Sequence, residues 1–336
     1  MEIVLKNPLD MHLHLRDGNM LRVVAPLSSK SFVGGLIMPN LIPPITSKGD
    51  LISYRERVLE AIGDDNFTPY MTLFFKADYT EEFLRDIGDR LTAIKLYPAG
   101  ITTNSDGGVS GFDLDKIGDT LEAMSSLEIP LCVHGETNGF VMDREAEFGA
   151  IYELLASNFP NLKIIMEHIT TKESVELLDR FNNLYATVTL HHLFITLDDV
   201  AGGMLNPHLF CKPIAKRYED REALRDIALN GHPKVMFGSD SAPHPQDTKE
   251  AHFCSAGVFT SPIALQLLTE LFLENSTLEN LQKFISDNAQ NIYSKLKFNP
   301  KEVILEEREF TIPKSYGGVV PMFDNRQIRF SIKEIR

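Results

Sequence analysis

Residues 10–18 read DMHLHLRDG. Two histidines one residue apart, then an arginine two further on, stand inside an apolar run. The run reads as a strand, on which side chains two apart share a face. His12, His14 and Arg16 are then expected to project together, with Met11, Leu13 and Leu15 on the other face. Two imidazoles and a guanidinium are costly to bury unless something pairs with them. A metal ion pairs with the histidines, and an anion pairs with the arginine.

Outward from this stretch, short apolar runs alternate with helical patterns. The strand candidates are 10–15, 32–38, 70–75, 93–97, 131–134, 164–168, 185–189 and 235–238. Amphipathic stretches at 47–63, 112–127, 144–158, 171–181 and 218–230 lie between them, with Ser47 and Thr171 as N-caps. Eight strands with helical crossovers predict a parallel sheet. Eight is also the number that closes an α/β (β/α)8 TIM-type barrel, of about 250 residues. The chain is expected to form one metal-dependent domain over residues 1–336, with the barrel over about 8–299. Extra helices near 261–290 and a C-terminal extension of short strands, about 300–336, complete it. An open doubly wound sheet would carry a Gly-rich first turn, and the first strand here ends in LRDG instead.

Barrel active sites collect at the C-terminal ends of the strands. Polar residues stand at six of the eight expected ends: His12, His14 and Arg16 on the first, Asn40 past the second and Lys95 on the fourth. His134 ends the fifth, His168 the sixth, and Asp240 follows the eighth.

Composition narrows the class. The 336 residues are 43% hydrophobic and 24% charged, enough for a full core. Net charge is 33 − 47 = −14, which argues against nucleic acid as a partner. No apolar run nears the roughly 18 residues of a membrane span. The start, MEIVLKNPLD, lacks the apolar core of a secretion signal. Three scattered cysteines, Cys132, Cys211 and Cys254, argue against a disulfide framework, and a reduced cytoplasmic protein is expected.

The His12/His14 spacing aims two rings at one point, as a metal chelate does. Four histidines and Asp240 suit zinc or a similar divalent ion. Lys95, in TAIKLYP, interrupts a strand that should be buried. An ammonium only donates and cannot ligate a cation. Either Lys95 pairs with a carboxylate, or its amine has reacted with carbon dioxide to give a carbamate able to bridge two ions.

HLHLRDG, MPN, KLYPAG, VHGE, EHIT and GSDSAPH, in this order, resemble the amidohydrolase superfamily, and within it the dihydroorotase family in its shorter bacterial type. The likeness runs from Asp10 to about Asn299. It implies a binuclear metal centre, with two Zn2+ per subunit. His12, His14 and Asp240 would bind the first ion, His134 and His168 the second, and Lys95 as N6-carboxylysine would bridge them. It implies Asp240 as general base and acid, a metal-bridging hydroxide as nucleophile, and reversible hydrolysis of the cyclic amide of (S)-dihydroorotate in pyrimidine biosynthesis. Substrate contacts would come from His14, Arg16, Asn40, His134, Lys212, His244 and Ala256. Thr102 and Thr103, in GITTNSDGGV, would belong to a closing loop. The family implies a homodimer acting on a small molecule, away from nucleic acid and membrane.

Lys212, in CKPIAKR, departs from the family's leucine, at a position that contacts substrate through its main chain. The glycines of Pro98–Ser110 predict a mobile lid with no core of its own. His191, His192, His208, His232 and His252 are expected to be structural or surface residues. Cys132, two before His134, should face the barrel interior as packing. Hydantoinases and allantoinases are the nearest alternatives, but they do not need Arg16. Deaminases lack the lysine, and a dead scaffold barrel would have lost a ligand.

Overall fold

The computed structural model describes residues 1–336. Each expected apolar run becomes a strand, within a residue or two at most ends. After β1 (Glu2–Lys6) come β2 (Leu9–Leu13), β3 (Gly34–Ile37), β4 (Thr68–Phe74), β5 (Leu91–Leu96), β6 (Leu131–Val133), β7 (Ile164–Met166), β8 (Leu184–Val188) and β9 (Val235–Phe237). β2 to β9 pair in sequence order, all parallel. Closure is made just past the strand ends: Asp240 N–H donates to His12 O at 2.9 Å, and His14 N–H to Ser241 O at 3.2 Å. The result is a (β/α)8 barrel.

Alternation along the strands sorts side chains into two clusters. Ala93, Cys132, Ile165 and Met236 join Leu9, Met11, Leu36 and Tyr293 in the inner one. Ile94, Leu131, Val133, Ile164 and Phe237 belong to the large outer cluster under the helices. Cys132 therefore packs inside the barrel, as its phase against His134 predicts, and its Sγ lies 3.4 Å from Tyr293 Oη. Two residues further along these strands, the same inward phase delivers Lys95, His134 and Glu167 to the mouth.

The helices form where their caps allow. Ser47 caps Lys48–Ile62 by accepting from Asp50 N–H, and Thr171 caps Lys172–Arg180 by accepting from Ser174 N–H. Leu114–Ser126, Arg144–Asn158 and Tyr218–Leu229 match their expected stretches. No helix is long and apolar enough to cross a membrane.

Two features correct the expectation for the ends of the chain. The C-terminal extension contains long strands rather than short ones: β10 (Glu302–Thr311) and β11 (Gln327–Ile335). They form a three-stranded antiparallel sheet with β1, in the order β1-β10-β11. Glu2–Lys6, left unassigned by sequence, is thus a strand whose alternation buries Ile3 and Leu5 against the outer cluster.

Candidate metal centre

His12 and His14 share a face as the sequence predicts, but Met11 and Arg16 do not follow the simple alternation. β2 carries a register irregularity against β3 between Asp10 and Leu13. The extra residue lets Met11 enter the inner cluster while His12, its neighbour, also faces the site. Arg16 lies beyond the strand end with φ of 59°, so a left-handed turn rather than strand alternation aims it.

The donor atoms converge. His12 Nε2 lies 3.3 Å from His14 Nε2 and 3.5 Å from Asp240 Oδ1, and His14 Nε2 lies 3.1 Å from that same oxygen. Ligands on one tetrahedral zinc, bonded at about 2.0–2.2 Å, stand roughly 3.3–3.6 Å apart. The rings continue in a row: His14 to His12 at 5.3 Å between centroids, His12 to His168 at 4.9 Å, and His168 to His134 at 4.8 Å. All four histidines, Lys95 and Asp240 are buried.

Two carboxylates that sequence reasoning passed over orient these rings. Glu167 Oε2 accepts from His12 Nδ1 at 2.7 Å, and Glu136 Oε2 lies 2.7 Å from His134 Nε2. Each bond commits one ring nitrogen and leaves the other free to ligate. Thr187 then donates to Glu167 at 2.6 Å and accepts from the His168 N–H at 2.7 Å. Both glutamates stand inside quoted motifs, VHGE and EHIT, but nothing in the letters says which ring each one meets.

Electrostatics suit a cation. Burial holds His14 down to about 4, pushes His134 down, and pushes His168 well down. These imidazoles are neutral at pH 7, the form that offers a lone pair. Burial pushes the Asp240 carboxyl up, but its bond to His14 and the neighbouring histidines outweigh this and hold it well below the ordinary range. Burial drives the Lys95 amine below its usual value, against the pull of Glu167. Lys95 Nζ and His168 Nδ1 are buried without a partner. A buried polar atom left unpaired is costly, so the donor set fits bound metal better than it fits itself.

The anion side lies next to this cluster. Arg16 donates from Nε to Pro243 O at 3.1 Å, and its Nη2 lies 3.0 Å from His244 Nε2. His244 Nε2 also lies 3.0 Å from Ala256 O. Arginine only donates and a carbonyl only accepts, so the ring serves one or the other. Burial lowers His244 to about 3, leaving it neutral. The cleft, about 360 Å3 of empty space, is lined by His12, His14, Arg16, Asn40, Thr102, Thr103, His134, His168, Lys212, Asp240 and Ala256 among others. Every residue assigned to the site from sequence except His244 and Lys95 lines it; His244 meets it through Arg16, and Lys95 Nζ lies 5.0 Å from the ring centre of Tyr97, which lines it.

The lid is better anchored than its glycines suggest. Asn40 Nδ2 donates to Thr103 O at 3.0 Å, Asn104 Nδ2 to Asn40 O at 2.9 Å, and Lys212 Nζ to Ile101 O at 2.9 Å. Ile101 and Ser105 are buried, so the loop does own a small core. Lys212 therefore turns its ammonium to the lid backbone. Gly108 approaches Tyr97 O so closely that a Cβ would stand 2.3 Å from it.

Arg16, His168 and Asp240 all adopt positive φ, at 59°, 42° and 42°. For residues with a Cβ this conformation is uncommon and clusters at functional sites. The remaining histidines separate from the site. His208 pairs with Glu250 at 3.0 Å, His232 with Asp179 at 3.3 Å, and His252 is exposed. His191 and His192 are buried near Cys211 as a second group.

Residues 9–297 match the model of the amidohydrolase family. A dihydroorotase of Helicobacter pylori is 44% identical over 314 residues, 93% of this chain and 92% of that protein. The crystal structure of a dihydroorotase from Campylobacter jejuni superposes with a TM-score of 0.95 at 59% identity, covering 99% of this chain and 98% of that one. That of a Saccharomyces cerevisiae dihydroorotase in complex with 5-fluoroorotic acid gives 0.92 at 33% identity, with the same coverage.

Proposed function

We propose, from the premise that the chain belongs to the amidohydrolase family and within it to the dihydroorotases, that His12, His14, His134, His168 and Asp240 hold two divalent ions bridged by a Lys95 carbamate. The protein is a hydrolase that interconverts (S)-dihydroorotate and N-carbamoyl-L-aspartate. The observation that carries the metal reading is Lys95 Nζ, buried and without a partner beside neutral imidazoles. As a carbamate it becomes a carboxylate with two oxygens to share, which removes the unpaired amine. Zinc suits the imidazole and carboxylate donors. When bound, such a pair supplies a Lewis acid for the amide carbonyl and lowers the pKa of water.

Asp240, held ionised, takes the proton of the attacking water and passes it to the ring nitrogen as the C–N bond breaks. Ring closure runs the same transfer backwards. Arg16 offers a fork of donors to the ring carboxylate, with Asn40, His244 and the main chain at Lys212 and Ala256 completing the walls. Thr102 and Thr103 present hydroxyls from the lid. The three-stranded sheet shares the outer core of the barrel, which supports one folded unit over 1–336. We further place the protein in the cytoplasm as a homodimer, as the family implies.

Metal content and ring opening of dihydroorotate, followed in the ultraviolet, test the reading together. Lys95→Ala is expected to lose metal and nearly all activity, with partial rescue by short carboxylic acids. Activity within about tenfold of wild type in Lys95→Ala would overturn the bridged pair.

A further inference from the structure

A second group of metal-type donors lies outside the six-residue cluster. His191 and His192 stand in the short helix Leu190–Phe194 that follows β8, and Cys211 precedes the Lys212–Pro213 segment of the cleft wall. Donor atoms of the three side chains lie within 4.8 Å of one another, and all three are buried. Cys211 Sγ lies 3.5 Å from His192 Nε2. The Pro213 carbonyl oxygen points into the same space, 3.1 Å from His192 Nε2 and 3.2 Å from Cys211 Sγ.

Sulfur, nitrogen and oxygen ligands on one tetrahedral zinc stand about 3.4–3.6 Å apart. Three of the atoms here are within a few tenths of an ångström of that. A second observation is independent of these distances. His191 is fully buried, and neither of its ring nitrogens meets a protein partner. A buried imidazole with both nitrogens idle is costly, and a bound ion would engage one of them.

We propose that Cys211, His192, His191 and the Pro213 carbonyl form a third metal site, for zinc or a similar borderline-soft divalent ion. The ion enters as Cys211 releases its thiol proton to solvent. The proton on His192 moves from Nε2, where it faces Pro213 O, to Nδ1. Thr189 Oγ1, 2.9 Å from Nδ1, accepts it there and holds the ring in the ligating tautomer. The role is a brace. It ties the loop after β8 to the strip of wall that carries Lys212, whose amine reaches the lid at Ile101 O.

The site is testable with the full chain loaded with cobalt. The six residues of the main centre include no sulfur, so a near-ultraviolet thiolate-to-cobalt charge-transfer band reports the third site alone. The band is expected in wild type, absent in Cys211→Ser, and retained in Cys132→Ser and Cys254→Ser. Zinc content should fall by one ion per chain in Cys211→Ser. His191→Gln, which replaces a ring that makes no hydrogen bond, should lose the same ion and covers the case in which Cys211→Ser does not fold. A fully loaded wild type without the band, or a band that survives Cys211→Ser, overturns the proposal. Failure of the bridged pair would change the count of the other ions and leave the band in place, so the two readings fail separately.

Discussion

On the proposed mechanism Arg16 and Asp240 divide the work of the cleft between recognition and proton transfer, and substitution should separate the two. Arg16→Met removes the donors offered to a carboxylate while leaving the ligand row intact. A charged hydrogen bond of roughly 1.5–3 kcal/mol corresponds to about 10–150-fold. The Michaelis constant for dihydroorotate should rise by that order with metal content unchanged, and a rise below about threefold would remove Arg16 from recognition. Asp240→Asn keeps an oxygen for a metal but cannot carry a proton. Turnover should nearly vanish in both directions with part of the metal retained, checked by assays of ring opening and ring closure on metal-analysed enzyme. His244 is next in line for the proton if Asp240→Asn stays active. The convergence of His12, His14 and Asp240 was legible because HxH spacing on a strand aims two rings at one point. Glu136 and Glu167 were not legible, since a glutamate beside a histidine in sequence gives no indication of which ring it orients in space. Nor were the positive φ angles of Arg16, His168 and Asp240, which the residue types do not signal.

Elements were readable where local chemistry and tertiary demand agree. Lys48–Ile62 and Lys172–Arg180 begin at the serine and threonine that their sequences advertise. Gly18–Ser29 went unassigned because Gly18 at its start and Pro26 within it argue against a helix, although Asp17 caps it and Leu21, Val24 and Ala25 bury one face. β1 was hidden for a different reason. Five residues have too little pattern to announce a strand whose partner, β10, lies some 300 residues away. The register irregularity in β2 likewise depends on its neighbour β3. The lid shows the same dependence, since its anchors Asn40 and Lys212 come from other parts of the chain. Thr102 and Thr103 reach the cleft from this loop. Replacing both with valine keeps the shape and removes the hydroxyls. Turnover should fall far more than metal content, and a doubly substituted enzyme with unchanged turnover would count against a chemical role for the lid.

At the scale of the whole molecule, the proposed function requires a protein of net charge −14 to hold an anionic substrate in a locally positive well, for which Arg16 and bound metal are the proposed sources. It must also bury histidines in neutral form around that well, and this has a consequence for stability. Burial lowers His14 and His191 to about 4 and His244 to about 3, from an ordinary 6.5. In the unfolded chain these groups take up protons as pH falls through about 6.5, whereas in the folded metal-free protein they do not until about 4 or below. The unfolded state therefore binds more protons in this window, and stability must rise with pH across it. His168 and His192, pushed still lower by burial, act in the same direction. Asp10 opposes them, because burial raises it to about 6 and the folded state gains its proton first. Burial also lowers His134 and raises the Glu270 carboxyl, and two carboxyls against six imidazoles leave the sign unchanged. Metal-free protein should lose stability progressively as pH falls from about 6.5 to 4. Denaturant midpoints measured at a series of pH values across that window check this. A midpoint that stays flat or climbs as pH falls would mean that these rings are not buried neutral, and the metal-ready state of the centre would lose its electrostatic basis.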